Sequence, residues 1–285
     1  MIIVRIKGGI GNQLFQYATA YALSRKLKKI LGFNVGFTSN MTARGYRLSE
    51  FNIVDNVVLD DKLPGAIKIF KNKYVNKSMR VLHIGNVKCN DWQYVLETKE
   101  DYNEHLLTLN SRKIYIDGYF QSYKYFEEYR SDLLKQLTPK QGFNTECLQV
   151  LDSIEKCNSV AVHIRRGDFK KSYNKFHYLL DVDYYQRAID YMESVVENPV
   201  FFFFSDDIEW IKDNLGEREC FRFINVKTRD IDDLMFMKNC KHIITANSTF
   251  SWWGAWLNEN DNAIRIVPQK SYGNYQMIPD GWIKM

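Results

Sequence analysis

Arg165 and Arg166 stand side by side in the run His163-Ile164-Arg165-Arg166-Gly167-Asp168, directly after the apolar stretch Ser159–Ile164. An arginine presents a planar fork of N–H donors that matches phosphate oxygens. On an ordinary surface loop this charge would be a solvated cluster. At the end of a buried strand it is out of place unless it serves a ligand. Gly167 permits a turn that side chains resist, and Asp168 can orient an arginine or accept a proton.

A second polar constellation, Asn247-Ser248-Thr249-Phe250, follows the strand candidate His242–Thr245 and opens a helix. Small hydroxyls there can cap the helix, or bind a phosphate together with its free N–H groups. Two strand-end anion sites in one domain suit a diphosphate. An aspartate from the nearby run Asp230–Asp233 suits guanine, whose adjacent N1–H and N2–H groups pair with one carboxylate. Ser205-Asp206-Asp207 also ends a strand, and an acid pair can hold a divalent metal. Two arginines and helix termini already neutralise a diphosphate, so Asp207 is read as a helix cap and no metal site is expected.

Near the start lies Gly8-Gly9-Ile10-Gly11-Asn12-Gln13, between a strand and a helix. Glycines there let backbone approach a ligand, and a helix N-terminus favours an anion. It is not a dinucleotide fingerprint: Leu14 stands where the third glycine belongs, and no acidic residue closes the next strand candidate, Phe33–Phe37. A tight turn without a ligand is the plain alternative. Asn12 and Gln13, two amides in the first turn, favour a polar ligand.

The elements that must position these groups alternate. Ile2–Ile6 reads as a strand, and Asn12–Ile30 as a helix with Leu14, Tyr17, Ala18, Tyr21 and Ala22 on one face. Residues 40–110 show weak periodicity, and short helices and loops are expected there. Lys113–Ile116 reads as a strand, followed by Asp117-Gly118 and a helix over Tyr123–Leu137. After a boundary segment at 139–158, strands and helices alternate regularly to Val267, as in a parallel sheet covered on both faces. The expected division is 1–155, an acceptor-side α/β domain; 156–270, a nucleotide-binding Rossmann-like domain; and a tail, 271–285.

Composition bounds the function. The chain has 285 residues, 45% hydrophobic and 26% charged, with a net charge of +5. Aromatics reach 15%, which suits a thick core and also carbohydrate stacking. Basic residues are scattered apart from Arg25–Lys29 and Lys68–Lys77. No basic stripe or reading helix argues for nucleic acid. A mild positive surplus fits an anionic small substrate or an anionic membrane surface equally well. Five cysteines without CxxC spacing read as reduced thiols. Arg5 and Lys7 interrupt the N-terminal apolar run, short of the roughly 7–15 apolar residues of a signal peptide. No stretch reaches the roughly 18 of a membrane span. The expectation is a cytoplasmic protein, with peripheral association at the inner membrane face left open and oligomeric state undetermined.

Taken together, GGIGNQLFQYATAYALS at the N-terminus, DGYFQSYKYF at 117–126, HIRRGDF at 163–169, FFFFSDD at 201–207 and NSTFSWWGAWL at 247–257 resemble glycosyltransferase family 11, the α-1,2-fucosyltransferases. The resemblance covers nearly the whole chain. Phe169 departs from the tyrosine usual there. The resemblance implies an α/β fold of GT-B type, two Rossmann-like domains facing across a cleft, with GDP-β-L-fucose as donor, no metal and no other cofactor. It implies transfer to the 2-hydroxyl of a terminal β-galactoside of a surface polysaccharide. Arg165 would bind the diphosphate, helped by Arg166, and Asp233 would read guanine. Asn247, Ser248, Thr249 and Phe250 would hold phosphate and base beside His163, and Gly9, Gly11, Asn12 and Gln13 would approach the donor from the other domain.

Negative charge grows on the β-phosphate as the C1–O bond breaks, so Arg165, Arg166 and the helix start at Ser248 are the expected stabilisers. Attack from the opposite face inverts β to α and needs a base near the acceptor hydroxyl. Asp168 is the first candidate, with a purely structural role as its alternative, and Asp117 is the second. Two other functions stay open: a transferase of another GDP-sugar, and a binding protein for nucleotide sugars or glycans without turnover.

Overall fold

The computed structural model describes residues 1–35, 45–53, 57–58, 62–99, 101–166, 179–269 and 277–285. The chain forms two units, Met1–Lys140 and Gln141–Met285. Each is built around one six-stranded sheet.

The first unit opens with β1 (Ile2–Arg5) and α1 (Ile10–Lys26). β2 (Leu31–Asn34) and β3 (Val57–Val58) follow, then the helices α2 (Gly65–Lys71) and α3 (Lys73–Val81). A hairpin of β4 (Asn86–Cys89) and β5 (Trp92–Leu96) leads to β6 (Lys113–Asp117) and α4 (Arg130–Gln136). The strand order is β3-β2-β1-β6-β5-β4. Every pairing is parallel except β4 on β5. Ile2, Ile3 and Val4 are all buried, as a central parallel strand requires when both faces are covered. Ile67, Phe70, Val75 and Met79 of α2 and α3 close over Tyr94, Leu96 and Tyr115. Edge strand β4 keeps alternate residues exposed.

The second unit contains α5 (Thr145–Glu155), β7 (Asn158–Ile164), α6 (Val182–Val195), β8 (Pro199–Ser205), α7 (Ile208–Leu215) and β9 (Phe221–Phe223). It continues with α8 (Asp230–Asn239), β10 (His242–Ile244), α9 (Thr249–Leu257), β11 (Arg265–Val267) and β12 (Ile283–Lys284). Its strand order is β12-β11-β10-β7-β8-β9, parallel throughout. Counted from β7 this is the Rossmann order 3-2-1-4-5-6. Phe201 and Phe203 point to one face of β8 and join Val160, Val162, Ile189 and Ile211 in the core.

Three sequence expectations change. The units divide at Lys140, not near 155, because α5 buries Cys147 and Ile154 and packs along α8. Within 40–110, the described residues 86–96 are more regular than the weak periodicity suggests, since β4 and β5 pair there in register Asn86↔Val95. Of the expected tail 271–285, the described residues 277–285 belong to the fold: β12 adds the sixth strand, Met277 and Ile278 are buried, and the Trp282 ring lies against Trp252. All five cysteines are free thiols. No helix among the described residues is long and apolar enough to cross a membrane.

Candidate functional site

In the second sheet β7 lies between β8 and β10, and its connections leave in opposite directions at that point. Ligands of open parallel sheets bind beyond the carboxyl ends of the strands at such a switch. His163 lies on β7, and the continuing register of Val162↔Ile244 sets it level with Thr245. Its ring meets the Phe250 ring at 5.6 Å, so the end of β7 abuts the start of α9.

That start is held by short local bonds. Ser248 caps α9, its hydroxyl accepting from the Phe250 N–H at 3.3 Å. Ser251 donates to the Ser248 carbonyl and accepts from the Ala246 N–H. The cap uses one of the N–H groups that a helix leaves unbonded in its first turn. α8 and α9 pack closely: a Cβ on Gly254 would come within 2.9 Å of the Met237 Cβ. This packing sets the start of α8, and with it Asp233, in the same domain.

Buried polar atoms with no hydrogen-bond partner among the described residues include His163 Nδ1 and Thr245 Oγ1 at this switch and Asp233 Oδ1 in the first turn of α8. Each such atom costs about 1–3 kcal/mol if left unsatisfied. Burial drives the His163 imidazole down to about 3, with Arg165 adding to the effect, so the ring is neutral. Burial pushes Asp233 up to about 6, with the charges of Asp230 and Asp232 in the same sense and a hydrogen bond to Thr228 opposing. Asp232 is committed elsewhere: it accepts from the Arg229 N–H at 2.8 Å and from its guanidinium at 2.6 Å at the start of α8.

The two arginines are not equivalent. Arg166 lies with its guanidinium carbon 3.8 Å from the centre of the Trp210 ring, and its Nε pairs with Asp207 at 3.3 Å. It is therefore stacked, paired and mostly buried. Arg165 has its Nε 3.8 Å from Asp206 and keeps a third of its side chain exposed. Asp206 also accepts from the Arg166 N–H at 2.9 Å. Asp207 caps α7, accepting from the Trp210 N–H at 3.4 Å. Both acids thus serve the arginine turn. No group of three or more potential metal ligands occurs among the described residues. Gly167, Asp168 and Phe169 lie outside the described residues.

In the first sheet the corresponding switch separates β1 from β6. Asp117, at the end of β6, is wholly buried. It accepts from Arg5 at 2.7 Å, Lys7 at 2.8 Å, the Tyr94 hydroxyl at 2.8 Å and Asn76 at 3.3 Å. Burial alone would raise its pKa. The charges of Lys7 and Arg5 outweigh burial and hold it well below the usual carboxylate range. Such a carboxylate is a poor proton acceptor, and its geometry is that of a clamp on the β1 end. Gln13 is likewise a brace: its amide donates to the Gly8 and Gly45 carbonyls and accepts from the Arg47 N–H. Gly9 caps α1 without a side-chain bond, with Gly11 buried in its first turn. The Asn12 side-chain Oδ1 accepts from the Gln121 amide at 2.8 Å.

Glu97, which the sequence did not single out, sits one residue beyond β5. Its carboxylate accepts from the N–H groups of Tyr119 at 2.6 Å and Phe120 at 2.8 Å. Burial raises its pKa, partly offset by those two bonds. A Cβ on Gly118 would fall 2.4 Å from the Glu97 Cβ and 2.8 Å from Oε2, so only glycine lets this turn close over the acid. Glu97 borders a small pocket with Arg80, Tyr119 and Gln121. It also borders a cavity of about 600 Å³. Phe120, Tyr102 and Tyr125 line that cavity, with the last two rings 4.8 Å apart. The signal for Glu97 is the Asp117-Gly118 pair, readable only once β5 is placed beside β6.

Comparisons with known proteins agree with this geometry. The family model described as "Glycosyl transferase family 11" matches residues 1–278. An α-1,2-colitosyltransferase from Escherichia coli is 32% identical over 100% of this chain and 99% of its own length. The Escherichia coli O-antigen biosynthesis glycosyltransferase WbnK is 32% identical over 98% and 99%. The mouse galactoside 2-alpha-L-fucosyltransferase Sec1 is 24% identical over 92% of this chain and 65% of its own. Among solved structures, the fucosyltransferase NodZ from Bradyrhizobium superposes with a TM-score of 0.55 at 12% identity, over 89% of this chain and 92% of that one. NodZ α-1,6-fucosyltransferase soaked with GDP-fucose gives 0.52 at 13%, over 90% and 92%. The structural likeness shows the fold, two Rossmann-like domains of GT-B type, and the sequence matches show the enzyme class: the chain is a glycosyltransferase and belongs to glycosyl transferase family 11.

Proposed function

We propose that the enzyme transfers L-fucose from GDP-β-L-fucose to the 2-hydroxyl of a terminal β-galactoside, with inversion, in the assembly of a surface polysaccharide. The observation that carries this reading is the β7–β10 switch, where the strand that leads into Arg165 abuts the start of α9 through His163 and Phe250, with His163 Nδ1 and Thr245 Oγ1 unpartnered among the described residues. The diphosphate lies between Arg165 and the first turn of α9, where growing negative charge meets fixed donors. Asp233 takes the two N–H groups of guanine. Arg166 acts mainly by positioning, since Trp210 and Asp207 already engage it. Asp168 accepts the proton from the acceptor hydroxyl, and Asp117 serves as a clamp. The acceptor galactoside occupies the cavity beside Glu97, where Tyr102, Tyr125 and Phe120 offer rings for the apolar face of a sugar. The reaction takes place in the cytoplasm and needs no metal, because Asp206 and Asp207 are spent on arginines and a helix cap.

Purified enzyme with GDP-fucose and lactose tests the reading. A 2-O-α-fucosyl product, identified by NMR, is the expected outcome. Release of GDP without a new glycosidic linkage, for any galactoside offered, overturns it. A colitosyl donor is the second reading, favoured by the 32% identity to an α-1,2-colitosyltransferase. Parallel assays with GDP-fucose and GDP-colitose separate the two through their kcat/KM ratio.

A further inference from the structure

From Lys62 to Asn90 the chain carries seven cationic residues, Lys62, Lys68, Lys71, Lys73, Lys77, Arg80 and Lys88, and no acidic residue. Two of these turn inward: Lys71 donates to Asn34 at 2.7 Å, and Arg80 to the Glu97 carbonyl. The other five are exposed. The buried side of α2 and α3 is already complete, because Ile67, Phe70, Val75 and Met79 pack on the sheet. The core therefore does not explain a second set of apolar side chains on the outer side. Ile69 is 60% exposed, Tyr74 77%, Val81 70% and Leu82 67%, with Ile84 beside them. On α3, Lys73, Tyr74, Lys77 and Val81 follow one another at helical spacing, so cations and apolar groups share one stripe.

A soluble surface has no use for so many large apolar side chains in one place. An anionic partner would meet the lysines, and only one with an apolar interior would also take Ile69, Tyr74, Val81 and Leu82. Charge complementarity and apolar excess together describe the interface of an anionic bilayer. We infer that the outer face of α2 and α3, with the turn Leu82–Ile84, docks the enzyme on an anionic lipid surface. The cavity assigned above to the acceptor begins at His83, Gly85 and Asn86, where this face ends. A saccharide carried on that bilayer would thus reach the cavity, a consequence that rests on the acceptor reading. The docking itself does not.

Vesicle co-sedimentation tests the docking without substrate. The full-length enzyme should bind phosphatidylglycerol/phosphatidylcholine vesicles, should not bind phosphatidylcholine alone, and should detach with rising salt. Two double variants, Lys73→Glu with Lys77→Glu and Tyr74→Ser with Val81→Ser, should each lower the partition coefficient at least tenfold. Their Tm and their turnover of soluble lactose should stay at the wild-type value. Equal binding to both vesicle types, or undiminished binding by both variants, overturns the inference. A wild-type dimer on size-exclusion chromatography that these substitutions dissolve would assign the face to a second copy and overturn it as well. If lactose is not fucosylated yet binding to anionic vesicles follows this pattern, the functional reading fails and the docking stands.

Discussion

Arg165 and Arg166 are adjacent in sequence but differ in what they can give a substrate. Arg166 has its stack on Trp210 and its bond to Asp207 to lose, whereas Arg165 keeps a third of its side chain exposed, where a phosphate can reach it. Arg165→Ala should lower kcat/KM at least about 100-fold at unchanged Tm, in the range of losing one preorganised stabiliser. A loss under tenfold would remove Arg165 from the transition state. Asp233 supplies a pH signature. Its folded pKa, about 6, lies above the ordinary carboxylate value. Its contribution to stability is therefore complete below that ordinary value and is lost as pH rises through 6. Guanine needs the ionised form, so GDP binding should release the proton. GDP affinity should fall by up to about tenfold per unit below pH 6. Asp233→Asn should flatten that dependence and weaken binding at pH 7 about 10- to 100-fold. Titration calorimetry from pH 5 to 8 measures both; a pH-independent wild type would deny Asp233 the guanine. His163, neutral throughout, adds no slope in this range.

At the scale of elements, the sequence is most informative where one strand's end carries its own chemistry. β7 announces itself by an apolar run stopped by two arginines, and α9 by Ser248 before an aromatic helix. β4 and β5 give no such sign. β4 alternates as an exposed edge with Asn86 and Lys88 outward, and its partner is buried through contacts with β6 that no local pattern records. Glu97 and its cavity were hidden for the same reason. Asp117 was visible, but its meaning was not, because Arg5, Lys7, Asn76 and Tyr94 reach it from four separate elements or loops. Asp117→Asn leaves two cations largely buried with one partner fewer, and should cost about 3–5 kcal/mol of stability by urea unfolding. A cost below about 1 kcal/mol would mean that the clamp is not structural. Gly118→Ala tests the other side of the same turn. Its Cβ must displace Glu97, so the KM for lactose should rise at least fivefold while the KM for GDP-fucose stays within twofold. Equal rises in both would detach Glu97 from the acceptor.

At the scale of the molecule, the chain is two sheets of six strands, each with its own core and its own switch point. The charge chemistry is unequally shared. The second unit carries Arg165 and a helix start near its switch, while the first carries a cavity lined by rings and Glu97. If each unit receives one substrate, each substrate should quiet a different part of the backbone. Local opening is governed by local contacts, so a ligand protects the amides whose opening breaks its own site. Hydrogen exchange with saturating GDP should slow in 160–166, 228–236 and 245–252 and leave 83–125 unchanged. Lactose at high concentration should slow 83–125, above all around Glu97 and Tyr119–Gln121. If arginine and helix N–H groups neutralise the diphosphate, as proposed, EDTA should alter neither the GDP pattern nor turnover. GDP protection concentrated in 83–125 would reverse the assignment of donor and acceptor. Turnover lost to EDTA and restored by Mn²⁺ would show that the arginine turn alone does not carry the charge of the leaving group.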